Sequence, residues 1–517
     1  MKKILFGFLL LVTVTVFGQN SKFNVVSTEK VLGKSLADNS DITGFEYAFP
    51  DRIHETFLDT TTGFLTVQLR GLSKNGKWLD NFGSIVQYDL KTKNILWNKK
   101  IAYQVNSLQQ FSGTMIFTAP SKSYCLDINS GKELWEVKDD MYYVDTDYHV
   151  GLGYRFKTVG GYTNELEGID LKTGKVIWKR ELNRQYGWNS LYYTNDSTII
   201  VVAAGLHAIN LRSGKGWDYH TITGEVDYKG TVTANALGVA AGLLTGTFMM
   251  STGHDVVRDM VSNSLIDSSF IYFASKVQLA KINKHTGDVA WRFPFSGDVA
   301  GKSTLFMHDS AIFMINKGFG FLGYRQVDFG EPFIAAFDKE TGKQKFLSFV
   351  QNESDPILSF QILNDEIYLV CKNRIVKYSL KSGVRLAEKV FTKESFGQLI
   401  YVVSHQVFIT ADNGDFISLP KADSTKVFVY TSDKKTLVID DQLTVTNTIK
   451  FEEISIYYLY ERGYKFIAKD NKTVIVDPDG KRIAEIEATS NAFLINNTLY
   501  DPQDKRFVVI DLKNVIK

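Results

Sequence analysis

Few residues in this chain have the types and spacing of a reaction centre. The two cysteines, Cys125 and Cys371, stand 246 residues apart. Each lies in an apolar run, where a free thiol behaves as a small buried hydrophobe. The eight histidines are scattered, and no pair has metal-ligand spacing on one element. There is no Gly-x-Ser-x-Gly elbow to present a serine nucleophile, and no Gly-x-x-x-x-Gly-Lys-Ser/Thr loop to cradle phosphate. Asp38-Asn-Ser-Asp41 and Asp412-Asn-Gly-Asp415 resemble fragments of calcium loops. Such residues more commonly start turns, by accepting hydrogen bonds from backbone amides two residues on. The expectation is a chain with no catalytic, cofactor-binding or metal-ligating residues.

The composition narrows the class. Of 517 residues, 13% are aromatic and 22% charged, with 39 glycines and only 8 prolines. That is too apolar for a disordered chain. No block of like charge supplies a basic face, so no nucleic-acid partner is expected. Lys2 and Lys3 precede an apolar run from Ile4 to Phe17, with Val16 and Gly18 at cleavage-site positions before Gln19. Residues 1–18 therefore read as a secretory signal peptide, cleaved near Gly18. The mature protein would be periplasmic or extracellular. Losing two lysines would leave 57 basic and 57 acidic residues, a net charge of zero. No cysteine follows the run, so a lipid anchor is not expected. The competing reading is an uncleaved membrane anchor.

One phrase organises the rest. An apolar strand ends in Asp or Asn; then come two residues, Ser or Thr, Gly, three residues and Trp. It runs from Asp127 through Gly131 to Trp135, from Asp170 through Gly174 to Trp178, and from Asn283 through Gly287 to Trp291. Asp338, Gly342 and Phe346 repeat it with Phe for Trp. Ser379 and Gly383 keep the turn with Ala387 in the aromatic position, and Asn210, Gly214 and Trp217 keep it one residue short. The first copy, Asp89 to Trp97, has Lys93 in the glycine position, and its turn is expected to shift so that Asn94 takes that role. Asp or Asn starts the turn and Gly supplies a positive φ, so each phrase predicts a hairpin. Trp97, Trp135, Trp178, Trp291 and Phe346 are the expected packing residues between sheets.

The turn glycines repeat every 40 to 43 residues where no insertion intervenes, as from Gly131 to Gly174 and from Gly174 to Gly214. That period, with about four short strands in each, is the period of a β-propeller blade. The phrase resembles the signature of the PQQ-like propeller repeat. That repeat occurs in quinoprotein alcohol dehydrogenases and in a periplasmic lipoprotein that assists outer-membrane barrel assembly. The resemblance runs from about Phe64 to Val390 and implies an all-β propeller, usually of eight blades. Residues 391–517 have room for about three more irregular units, so up to ten are allowed. Residues 19–517 are expected to be one domain, closed by Phe23 to Val26 pairing with Phe507 to Leu512.

The resemblance also raises an enzyme reading, a PQQ-dependent dehydrogenase. In that family the quinone lies between a Trp and a disulfide of adjacent cysteines, beside calcium. This chain has no adjacent cysteines, and no carboxylate matches the calcium site. The non-enzymatic branch is the better match: a protein-binding scaffold of the bacterial envelope.

Insertions mark the expected binding face. With strands a to d in each blade, b–c loops and d–a links lie on one face. The b–c segments 71–83, 156–165 and 318–332 and the d–a link 226–262 are all longer than the repeat needs, and insertions on one face commonly bind. Trp78, Tyr162, Phe319, Phe321, Tyr324 and Arg325 are the candidate residues of that face, for a protein or an envelope polymer. Residues 230–254 carry no Asp, Glu, Lys or Arg, and Gly238, Gly242 and Gly246 are four apart. One reading is a short helix packed on the ring. The other is a membrane- or partner-inserting element through Ala234 to Met250, which would make the scaffold membrane-attached.

Overall fold

In the computed structural model the repeated phrase folds as a tight strand–turn–strand unit. The structure describes residues 23–516 apart from 159, 185–186, 196, 204, 222–260, 297–298, 323–324, 351–354, 404–406, 411–415, 419–424, 451–453 and 470–471. Asp127 Oδ1 accepts the Ser130 amide at 2.8 Å and its hydroxyl at 2.7 Å, and Gly131 follows at φ 66°. Thr173 makes the same two bonds to Asp170, and Thr341 makes them to Asp338. These bonds favour the ionised carboxylate and hold all three aspartates below their ordinary value. The first copy differs from the expectation. Lys93 itself takes φ 58°, and Asn94 begins the next strand. Asp89 already binds the amides of Lys91 and Thr92, which fixes the turn one residue before Asn94.

Strand pairing builds these hairpins into antiparallel sheets. Eight sheets are four-stranded, with their strands lying within residues 53–102, 107–137, 139–181, 190–220, 265–294, 303–349, 359–390 and 399–450; they are units one to eight in that order. An eleven-stranded sheet contains two further four-strand runs. Unit nine runs from Ile454 to Ile486. Unit ten is formed by Phe493–Ile495, Thr498–Pro502 and Arg506–Asp511 with the N-terminal strand Asp41–Ala48 as its fourth. The described residues thus hold ten four-stranded units.

The core lies between sheets rather than inside them. Ile85 of unit one packs with Leu108 and Met115 of unit two, Leu152 of unit three with Ile199 of unit four, and Leu369 of unit seven with Phe313 of unit six. Tyr47 and Phe507 of unit ten pack with Leu65 and Val86 of unit one, so the last unit lies against the first. Central strands buried on both faces read as continuous apolar runs, as in Ala311–Asn316, which is buried throughout.

The N-terminal chain enters this seam later than the sequence suggested. Residues 44–48 pair with 506–510, Tyr47 opposite Phe507, while Val26 pairs with Ala48. The earlier strand, Val26–Ser35, lies outside them and also pairs with Arg482–Ile486 of unit nine. It thereby covers outer strands that would otherwise be open edges. Glu46 anchors the arrangement with Lys30 at 2.8 Å and Arg506 at 2.9 Å.

The b–c segments are hairpins with extended strands. Phe64–Leu72 and Leu79–Asp89 reach out to a six-residue tip, with Leu72 opposite Leu79. In unit six, Phe319–Leu322 pairs with Arg325–Asp328 as a separate two-stranded ribbon. A further hairpin, Val407–Thr410 with Phe416–Ser418, lies between strands a and b of unit eight and pairs with the first strand of unit nine. The sequence expectation of a helix near 230–262 lies outside the described residues, except for Val261 and Ser262.

Candidate functional site

The aromatic residues of the repeat are committed to joining neighbouring units. The Trp97 indole N–H donates to the Ile128 carbonyl at 2.8 Å, Trp135 to Leu171 at 2.7 Å and Trp178 to Leu211 at 2.7 Å. Trp217 and Trp291 donate to Lys284 and Lys339 at 3.2 and 3.1 Å. Each acceptor is the residue after the turn Asp or Asn of the following unit. The same ring covers that unit's turn glycine. A Cβ on Gly131 would stand 2.7 Å from Trp97, one on Gly174 2.8 Å from Trp135, and one on Gly342 2.6 Å from Trp291. Gly214 faces Trp178, and Gly287 faces Trp217. These glycines therefore serve both the positive φ and the close approach. Phe346 covers Gly383 but has no N–H; Ser348 Oγ donates to the Gly383 carbonyl instead, at 2.6 Å. Where Ala387 removes the aromatic, the Lys377 ammonium donates to Asp441 of unit eight at 3.0 Å.

The two thiols are placed for packing. Cys125 and Cys371 are buried and free, on units two and seven. Burial pushes the first up to about 11 and the second to about 12, so both are protonated at neutral pH and poor nucleophiles. They cannot supply the disulfide of adjacent cysteines that flanks the quinone in the resembled dehydrogenases, and the indoles named above are already engaged. The residues present do not fit that cofactor.

Two groups of ionisable side chains were not visible in the sequence. His308 Nε2 lies 3.2 Å from Asp365 and 3.9 Å from Asp309, a set close enough to share one ion. Lys381 already neutralises Asp365 at 2.5 Å. The other is in unit three. Asp139 is only 2% exposed, and one of its carboxylate oxygens has no hydrogen-bond partner. Burial first, and then the Glu167 charge, raise Asp139 to about 7, although Arg155 and Lys179 act the other way. Gly153 makes the approach possible, since a Cβ there would stand 2.9 Å from that of Asp139. Only the cross-strand register brings these residues together.

The candidate surface residues separate into different environments. Trp78 is 71% exposed at the tip of the unit-one hairpin, beside Leu72, Leu79 and Phe82, the last 62% exposed. Phe82, Leu72 and Leu79 were not singled out in the sequence, though large apolar residues within an overlong hairpin were the available signal. Tyr162 is half-buried under the Arg184 guanidinium, 3.1 Å above its ring, and Arg184 is held by Asp140 at 2.6 Å. Phe319 is corrected: it is 9% exposed and buried, and its carbonyl accepts the Lys302 amide at 2.7 Å. Phe321 pairs with Gln326 and Arg325 with Leu322 in the ribbon, and Tyr324 lies outside the described residues.

Residues 78–249 match the family model described as outer membrane protein assembly factor BamB. Over those residues the chain is similar to the PQQ-like β-propeller family. The propeller is also similar to the solved structure of BamB from Moraxella catarrhalis, at 13% identity over 74% of this chain and 96% of that one, with a TM-score of 0.31. A europium-containing methanol dehydrogenase matches at 13% identity over 74% and 84%, with a TM-score of 0.28. Apo AztD from Citrobacter koseri matches at 10% identity over 71% and 91%, with a TM-score of 0.30. No curated protein sequence matches the propeller. Among the described residues no helix is long and apolar enough to cross a membrane.

Proposed function

We propose that this propeller is a non-catalytic scaffold that binds another protein in the bacterial envelope, on the periplasmic or extracellular side. The observation that carries the reading is the unit-one hairpin. Leu72, Trp78, Leu79 and Phe82 project exposed apolar surface from a ring whose repeated aromatics otherwise join units. An exposed aromatic cluster on a rigid support is the form of a protein-binding hot spot. The tip is ordered from within: the Trp78 carbonyl accepts the Ser73 amide at 2.8 Å, and Asn75 Oδ1 accepts the Lys77 amide at 3.0 Å. The family model supports a protein partner, since its printed description is an assembly factor. A mature net charge of zero gives no long-range field toward nucleic acid.

The test is cross-linking from envelope fractions with a photo-reactive residue replacing Trp78. A discrete protein adduct that disappears in a Phe82→Ser background is the expected result. Labelling as diffuse as that from an exposed site on unit nine would overturn the reading. Addition of the quinone and calcium is expected to give no alcohol-dependent dye reduction; activity in that assay would overturn the non-catalytic assignment.

A further inference from the structure

Unit six holds two lysines in an arrangement that the scaffold reading does not use. Strand Ser303–His308 pairs with Ala311–Asn316 so that Ser303 lies opposite Asn316. Lys302 and Lys317 continue that ladder by one position, with the Lys317 amide donating to the Lys302 carbonyl at 2.8 Å. Residues directly opposite in an antiparallel pair point to the same face, and like charges placed so are destabilising. Burial lowers both lysines from their ordinary value, and Lys302 lowers Lys317 further. Among the described residues no carboxylate acts on either. The buried lysines Lys281 and Lys377 are paired instead, with Glu340 at 2.7 Å and Glu366 at 2.8 Å.

The backbone beneath the pair is held rigidly. Asn316 is fully buried, and its amide is held from both ends, with the Ser303 hydroxyl shared between its oxygen and the Gly301 carbonyl. Its oxygen accepts the Gly301 amide at 2.8 Å and the Ser303 hydroxyl at 3.2 Å. Its nitrogen donates to Val299 at 2.9 Å and Glu331 at 2.6 Å. The Lys302 amide is fixed to Phe319 at 2.7 Å, and the Ile357 amide to the Lys317 carbonyl at 3.0 Å. The like charges thus cannot separate by moving the main chain. A half-buried pair of like charges on a fixed backbone, with no carboxylate of the described residues against it, favours an anion.

We propose that Lys302 and Lys317 together bind a dianionic oxyanion of the phosphate-monoester class. Two adjacent point charges match a dianion better than a monocarboxylate, and an ammonium suits a phosphate oxygen. The group can arrive free in solution or as the headgroup of a lipid.

The experiment uses the full mature chain, its Lys302→Met/Lys317→Met variant and Lys317→Arg. Melting is recorded with and without inorganic phosphate, and sedimentation with phosphatidic acid vesicles against phosphatidylcholine vesicles. Without ligand, the double methionine variant should melt at or above the wild type, because the repulsion is gone; this also shows that it folds. Phosphate should raise the melting temperature of the wild type and of Lys317→Arg, and its affinity should fall about tenfold or more in the methionine variant. Response to free phosphate identifies a soluble ligand; lysine-dependent sedimentation with phosphatidic acid alone identifies a headgroup. No response in either arm, or a response equal in wild type and methionine variant, overturns the proposal.

Discussion

At the residue scale, a few glycines carry a double constraint that their local sequence only half describes. Gly174 has φ 70° and faces Trp135, whereas Gly76 has φ 69° and open space around it. A Cβ in the left-handed region costs about 1–2 kcal/mol by itself, and forcing atoms into a packed contact adds about 1–3 kcal/mol. Gly174→Ala should therefore lower stability by about 2–5 kcal/mol, and Gly76→Ala by no more than about 1–2 kcal/mol. Denaturant titration of the two variants checks the difference. Trp178→Phe keeps an aromatic on Gly214 but orphans the Leu211 carbonyl, a loss of about 1 kcal/mol from the bond plus a smaller packing term. Asp139 gives a pH test. Its carboxyl holds its proton to about 7 in the fold but to an ordinary 3.8 when unfolded. As pH rises from about 4 to about 7 the unfolded chain releases the proton first, so stability falls through that window and the loss is complete above it. Melting curves of Asp139→Asn should lack this decline. A decline equal to wild type would assign it to other groups.

At the scale of elements, the hairpins were legible because turn chemistry is local. In unit seven the hairpin predicted at Ser379 and Gly383 is present: strand Arg374–Ser379 leads into it, Gly383 takes φ 70°, and Arg385–Val390 follows. What was not legible is how far strands extend and what they meet. Leu72 and Leu79 lie in a segment read as loop, yet they pair directly. Phe319 reads as an exposed aromatic among glycines, yet it is buried, and its carbonyl accepts the Lys302 amide. The hairpin beside unit eight is marked in the sequence by Asp412-Asn-Gly-Asp415 between its strands, but the pairing of Val407–Thr410 with the first strand of unit nine left no signal, because it is set by a distant edge. The unit-one hairpin supports a separate prediction. Trp78→Ala and Phe82→Ser remove exposed side chains, so each should change stability by less than about 0.5 kcal/mol. Phe82→Ser should still abolish cross-linking from position 78, and Trp78→Ala co-purification of the partner, if the hairpin is the docking element. A large drop in melting temperature would make it a packing element instead.

For the whole molecule, the decisive contact is between the two ends of the chain. Tyr47 and Phe507 pack on unit one, the Phe49 amide donates to Lys505 at 2.8 Å, and Arg52 pairs with Asp504. Unit ten is incomplete without residues 41–48. A chain shortened to begin after residue 48 should lose a cooperative part of its melting transition and expose the Arg506–Asp511 edge. A chain beginning after residue 36 keeps the closing strand and should melt much closer to wild type. Calorimetry of the two truncations distinguishes them, and equal losses would mean that the outer strand Val26–Ser35, not the closing strand, holds the seam.

The sequence by itself determined the repeated unit: a turn of Asp or Asn, Ser or Thr, and Gly, with an aromatic four residues on. Those interactions span only a few residues, and composition and period report them directly. The tertiary structure decided which unit each Trp docks on, which N-terminal strand closes the seam, and which charges stand together. Trp217 meets Gly287, Asp139 meets Glu167, and Lys302 meets Lys317 because cross-strand register and sheet stacking place them side by side. Register is a property of paired strands, so one strand's residues do not report what will lie opposite.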